Sequence, residues 1–298
     1  MAEANINGLG VALVTPFNED LTIDYEALER LIEHVIDGGC DYIVALGTTA
    51  ETPTLTKEEK LILTDFIREQ SAGRVPLVLG IGGNNTREVC EELTNRDLRG
   101  YCAILSVTPY YNKPTQEGLY QHYKQISEAS PLPVILYNVP GRTGVNLSAS
   151  TTIRLANDFS NICAIKEASG NLNQCHEIIN GAPQNFKLIS GDDSATCELM
   201  NMGAKGVISV LANAYPVHMR RLVSLCEACC NKESESMQEL LKELISPLFE
   251  EGNPAGIKSA LADLGIIQNR LRLPLVSVTP YMADKIKTAA CKITGHDR

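Results

Sequence analysis

The sequence predicts a (β/α)8 barrel followed by a helical extension. Three observations predict it. Eight short, β-rich runs alternate with amphipathic stretches up to about residue 231. Consecutive runs are separated by roughly the length of one crossover helix, which parallel pairing requires. Beyond Asn231 the strand signal stops and only helix-like segments remain. The chain therefore divides into a catalytic barrel, 1–231, and a C-terminal helical extension, 232–298. With 298 residues, 44% of them hydrophobic, it can bury the core such a barrel needs.

The strand-like runs are 10–15, 42–46, 76–80, 102–106, 133–137, 162–166, 187–190 and 206–210. They are mostly apolar rather than alternating, as expected of strands covered on both faces. The segment 25–37 places Leu28, Leu31, Ile32, Val35 and Ile36 on one helical face, with Asp24 as N-cap and Gly38-Gly39 as the stop. Thr56-Lys57-Glu58-Glu59 forms a capping box ahead of Leu61, Ile62, Phe66 and Ile67. Helices are further expected over 86–98, 115–129, 148–157, 171–179, 193–202 and 215–230, and in the extension over 233–251, 254–264 and 280–294. A doubly wound open sheet would usually carry a glycine-rich turn after its first strand, where this chain has Thr15-Pro16-Phe17-Asn18-Glu19-Asp20.

The net charge of −10, with no basic block, argues against nucleic acid or an anionic membrane as partner. Met1 to Gly10 shows neither the basic nor the apolar region of a leader, and no apolar run reaches the ~18–20 residues of a membrane span. A cytoplasmic protein is the expectation. Most of the ten cysteines sit in apolar stretches and are expected to act as small hydrophobes. The CxxC spacing at Cys226–Cys229, expected inside a helix, has neither a second pair nor nearby histidines to make a zinc site.

In such a barrel the chemistry collects at the C-terminal ends of the strands. Those ends carry Thr48 and Thr49, Tyr110 and Tyr111, Tyr137, Arg142, Lys166, and Asp192-Asp193. The histidines, at 34, 122, 176, 218 and 296, fall on helices or in the tail, so neither a metal site nor a Ser-His-Asp triad is expected at the mouth. The two aspartates are expected to cap the following helix. Lys166 ends an apolar run and precedes a small-residue loop. Taken alone it reads as a rim ion pair, because burying an ammonium is costly. The same cost lowers the pKa of a buried lysine and can make it a nucleophile that condenses with a ketone. Tyr137 ends the preceding strand, ~4.8 Å away in the sheet direction, where a phenol could move protons. The Thr48-Thr49 turn suits a carboxylate, as does the planar fork of Arg142. Each of these has an ordinary structural alternative: an aromatic plug, turn chemistry, a surface salt bridge.

Together, Gly47-Thr48-Thr49-x-Glu51, Thr108-Pro109-Tyr110-Tyr111, Tyr137-Asn138-Val139-Pro140-x-Arg142-Thr143-Gly144, Ile165-Lys166-Glu167-Ala168, Ser190-Gly191-Asp192-Asp193 and Gly206-Val207-Ile208-Ser209 resemble the dihydrodipicolinate synthase/N-acetylneuraminate lyase family of Schiff-base aldolases. The resemblance runs from about residue 8 into the C-terminal helices. It implies a lyase needing no external cofactor, with pyruvate held as an imine on Lys166. It implies a proton relay of Tyr137, Thr48 and Tyr111, the last passing through a neighbouring copy in a homotetramer built as a dimer of dimers. Thr48 and Thr49 would hold the pyruvate carboxylate, Arg142 would receive the second substrate's carboxylate, and Gly191 and Ile208 would offer backbone carbonyls.

Thr48-Thr49 and Arg142-Thr143-Gly144 resemble the dihydrodipicolinate synthase branch, which implies condensation of pyruvate with L-aspartate-4-semialdehyde in lysine and diaminopimelate biosynthesis. Ala50 stands where that turn more usually has glycine, so its φ must tolerate a Cβ. A lysine-binding allosteric site is implied through Asn84, Glu88 and Tyr110. Lys57 and Lys60, where inhibited members often have histidines, would repel a cationic ligand and weaken inhibition. The alternatives are a sugar-acid aldolase such as N-acetylneuraminate lyase, which would want hydroxyl-binding groups in place of Arg142, and a non-catalytic sensor, which would be expected to have lost Lys166 or Tyr137. A metal-dependent aldolase is disfavoured by the histidine-free mouth.

Overall fold

In the computed structural model, residues 5–295 are described; His296 and the first residues of the N-terminus lie outside them. Among the described residues, eight parallel strands close into a barrel in sequence order, β1 pairing with both β2 and β8. The chain runs β1 (Gly8–Ala12), α1 (Tyr25–Asp37), β2 (Tyr42–Ala45), α2 (Lys57–Ser71), β3 (Leu77–Gly80), α3 (Thr86–Asn95), β4 (Tyr101–Val107), α4 (Gln116–Ala129) and β5 (Val134–Asn138). It continues through a short α5 (Pro140–Thr143), α6 (Ala149–Asp158), β6 (Ile162–Glu167), α7 (Leu172–Gly181), β7 (Lys187–Ser190), α8 (Thr196–Met202), β8 (Gly206–Ser209) and α9 (Pro216–Glu227). The extension is α10 (Asn231–Glu250), α11 (Ala255–Asp263) and α12 (Pro280–Gly295).

Two apolar layers hold this together. Inward-facing Val44, Val78, Leu105, Ile135, Ala164, Ile189 and Ile208 fill the barrel, while the outward residues of the same strands pack under the helices. The predicted caps form: Asp24 accepts from the Ala27 amide, and Thr56 and Glu59 complete the capping box of α2.

Four expectations are corrected. The first strand begins two residues earlier and ends three earlier than predicted, at Gly8 and Ala12. A continuous apolar run such as Leu9–Val14 offers no period by which to place its ends. The loop carrying Arg142 closes into one helical turn, α5, with Pro140 at its start. Helix α9 stops at Glu227, and Cys229 adopts a left-handed φ of 55°, so the CxxC spacing bridges a helix junction rather than lying within a helix. Asp192 does cap, accepting from the Ser194 amide, but Asp193 is buried and accepts instead from the amides of Val210 and Leu211, tying β7 to β8.

Candidate active site

Lys166 and Tyr137 are register partners at the ends of β6 and β5. That pairing depends on an irregularity. Val134 pairs with Ile162, but Ile135 pairs with Ala164, so Cys163 is skipped. The skip keeps Ile135, Tyr137, Ala164 and Lys166 all pointing into the barrel; a one-residue slip would turn one set outward. The Lys166 ammonium lies 4.4 Å from the centre of the Tyr137 ring, and Lys166 is only 5% exposed.

On the opposite face of the same strand ends, a polar network fixes the frame. Buried Glu167 accepts from Asn138 Nδ2 at 3.1 and 3.0 Å, from Gln174 Nε2 at 2.9 Å and from the Ser169 amide at 2.8 Å. Asn146 joins it, accepting from Asn138 at 2.7 Å and donating to Gln174 at 2.8 Å. Neutral donors alone surround this carboxylate in these contacts, and they fasten β5, β6 and α7 together.

Two cavities meet at these strand ends. The larger, about 840 Å³, is lined by Lys166, Tyr137, Thr48, Thr49, Arg142 and Gly191 together with residues of α10 and Asn253. The smaller, about 330 Å³, shares Thr48, Tyr137, Val139 and Arg142 and adds Lys60 and Tyr110. The charges predicted at the mouth therefore do converge. None of the described histidines lines either cavity, and no group of three or more His, Cys, Asp or Glu among the described residues is gathered as a metal site.

Thr48, Thr49 and Ala50 form a tight 3-10 turn with Gly47 in front and no side-chain cap. The left-handed residue is Glu51, with φ 55°, so Ala50 carries its Cβ without strain. Thr49 is buried and accepts from Asn253 Nδ2 at 3.0 Å. Arg142 donates through Nη2 to the Asn253 carbonyl at 3.1 Å. Gly191 abuts Lys166 so closely that a Cβ there would lie 3.1 Å from Lys166 Cε.

Other predicted residues are placed elsewhere. Ile208 is buried in the barrel filling and lines neither cavity. Tyr111, left-handed at φ 74°, is 88% exposed on the loop after β4, outside both cavities. Asn84, Glu88 and Tyr110 line a cleft of about 520 Å³ with Lys57 and Lys60, which adjoins the smaller cavity through Lys60, Gly82 and Tyr110; Asn84 donates to the Tyr110 carbonyl at 3.2 Å. Sequence reasoning missed Asn253, Asn138, Gln174 and Lys258. Of these only Asn138 fell inside a noted motif; Asn253 and Lys258 come from the extension, some two hundred residues from the turn they touch.

The sequence model of the Dihydrodipicolinate synthetase family matches residues 5–293. A 4-hydroxy-tetrahydrodipicolinate synthase of Parabacteroides distasonis is 53% identical over 96% of this chain and 97% of its own. One of Phocaeicola vulgatus is likewise 53% identical, with the same coverage. The solved structure of a chloride-inhibited dihydrodipicolinate synthase from Acinetobacter baumannii, complexed with pyruvate, superposes with a TM-score of 0.94 at 41% identity, covering 97% of this chain and 99% of that one. The closed barrel, the lysine at the end of its sixth strand and a family match along nearly the whole length lead to one conclusion: the chain belongs to the dihydrodipicolinate synthetase family.

Proposed function

We propose that the chain condenses pyruvate with L-aspartate-4-semialdehyde to give 4-hydroxy-tetrahydrodipicolinate, in lysine and diaminopimelate biosynthesis. The observation that carries this reading is the register pair of Lys166 and Tyr137, set in a cavity that also receives Thr48, Thr49 and Arg142. The Lys166 amine attacks the pyruvate ketone; the carbinolamine loses water to give an imine. Loss of a methyl proton makes the enamine, whose carbon attacks the aldehyde carbon of the second substrate; the amino group of that substrate then attacks the imine carbon, closing the ring and expelling the Lys166 amine. Tyr137, Thr48 and Tyr111 relay the protons. The Thr48-Thr49 turn holds the pyruvate carboxylate, and the Arg142 guanidinium receives the carboxylate of the acceptor. Gly191, beside Lys166, offers a carbonyl to the site. The imine supplies the electron sink, so no external cofactor is required.

A relay through Tyr111 would draw on a second copy; in support, Tyr111 is exposed and lines neither cavity of its own chain. Leu61, Ile62, Tyr110 and Tyr111 leave large apolar surface exposed, the kind of surface a partner covers. A homotetramer built as a dimer of dimers accounts for it, with a cytoplasmic location. The cleft of Asn84, Glu88 and Tyr110 is the expected place for lysine to act, weakly, given Lys57 and Lys60 in its wall.

The test is reductive trapping. With pyruvate and borohydride, mass spectrometry should find the adduct on Lys166; an unmodified Lys166 would overturn the mechanism. Among acceptors, turnover should favour aspartate semialdehyde over N-acetylmannosamine, and the reverse preference would reassign the substrate.

A further inference from the structure

The buried pair Glu51–Lys258 lines neither cavity at the strand ends, yet it stands directly behind the turn that does. Lys258, on α11, is fully buried. It donates to Glu51 Oε1 at 2.5 Å and to the Arg270 carbonyl at 2.9 Å, and sits 4.2 Å from the centre of the Phe17 ring. The second oxygen of Glu51 accepts from the Arg272 amide at 3.0 Å. Both partners of the carboxylate thus come from the extension.

Two features argue against this pair being an ordinary stabilising contact. Desolvating two charges offsets most of their attraction, and an apolar pair of similar volume often does as well for stability. What an ion pair adds is direction: two donors fix where the carboxylate points. Glu51 also holds a left-handed backbone, φ 55° and ψ 33°, immediately after Thr48, Thr49 and Ala50. Such strain in a side-chain-bearing residue persists only where the surroundings over-determine it, and it concentrates at functional sites. Here the over-determination comes from the Glu51 amide bonding Thr48 O at 3.2 Å, from Lys258 and from Arg272. The turn is pinned on its other side as well, by Thr15 Oγ1 donating to the Ala50 carbonyl at 2.8 Å.

We infer that Lys258 and Glu51 are positioning residues, through which the C-terminal extension sets the Thr48-Thr49 turn for the carboxylate of pyruvate. This rests on the reading that the turn holds that carboxylate. The pair touches no substrate; it acts through the placement of Thr48 and Thr49, where an error of about 1 Å can cost ~10²-fold.

The deciding variant is the double replacement Glu51→Leu/Lys258→Met, which removes the pair and leaves no charge buried. Steady-state kinetics should show the pyruvate KM raised about tenfold to a hundredfold, with kcat lowered as well because Thr48 also relays protons, and the aldehyde KM moving much less. A purely structural role would lower the active fraction, and with it kcat, at unchanged pyruvate KM. A folded double variant whose pyruvate KM stays within about twofold of wild type overturns the inference, whatever its melting temperature. If the double variant does not fold, Glu51→Gln, which keeps the shape without the charge, is judged by the same criterion. Failure of the underlying function would look different: wild-type protein itself would then take no borohydride label on Lys166.

Discussion

Gly191→Ala puts the packing around the proposed imine lysine to a direct test. An ideal Cβ at Gly191 would lie 2.8 Å from Ala168 Cβ, 3.0 Å from the Glu167 carbonyl oxygen and 3.1 Å from Lys166 Cε. Carbon atoms pack best at about 3.5–4.0 Å, so the new methyl intrudes by roughly 0.7 Å on Ala168 and 0.4 Å on the lysine stem. Neither Ala168 Cβ nor the carbonyl can rotate away. The Gly191 amide is bonded to that same carbonyl at 2.8 Å, which resists separation of β6 and β7. Lys166 is therefore the part that yields. Overpacking of this kind costs about 1–3 kcal/mol, a drop of a few degrees in melting temperature. Displacing the amine by several tenths of an ångström should slow imine formation about tenfold or more. The assay is a time course of pyruvate labelling, quenched with borohydride and read by intact mass, beside a thermal melt. A variant that melts lower but labels at the wild-type rate would show that the lysine is not confined as its contacts indicate. One unchanged in both would remove the steric argument altogether.

Glu167→Gln should destabilise the protein by about 2–4 kcal/mol, because it removes a charge-assisted acceptor and turns an amide toward Asn138, Gln174 and Ser169; a urea midpoint equal to wild type would show that the network carries no stability. The Arg272 guanidinium, bonded to Glu59, holds that carboxyl down to about 2. A carboxyl lowered on folding contributes stability that is present above its usual range and lost as pH falls toward the folded value. Solvent screening of this partly exposed pair leaves about 1 kcal/mol. The melting-temperature gap between wild type and Glu59→Gln should therefore be widest above pH ~5 and close toward pH ~2, and a gap constant with pH would refute the pairing.

What could be read from the sequence was whatever lay within a few residues. Tyr137 and Lys166 each end an apolar run, so their place at a barrel rim followed from the run itself. Their register did not, because it depends on skipping Cys163, a residue that looks like any other in its strand. The capping box at Thr56 was legible for the same local reason. Asn253 and Lys258 were not legible, since nothing near them in the chain announces that one meets Thr49 and the other Glu51. Asp193 was misread as a cap because an aspartate before a helix usually is one; here burial and two amides from the next strand's loop outbid the helix. Tyr111, whose expected role involves a neighbouring copy, is exposed in the single chain.

The dependence of Glu51 on the extension also sets an order of events during synthesis. The barrel strands are complete once Ser209 has been made. The donors that satisfy the Glu51 carboxylate arrive only with residues 258–272. At about 5–20 residues per second, a ribosome needs several further seconds to supply them. Until then the left-handed residue behind Thr49 lacks both side-chain partners. Synthesis of the strands and completion of the turn are thus separate milestones, and a polypeptide interrupted between them would lack the partners that fix the turn.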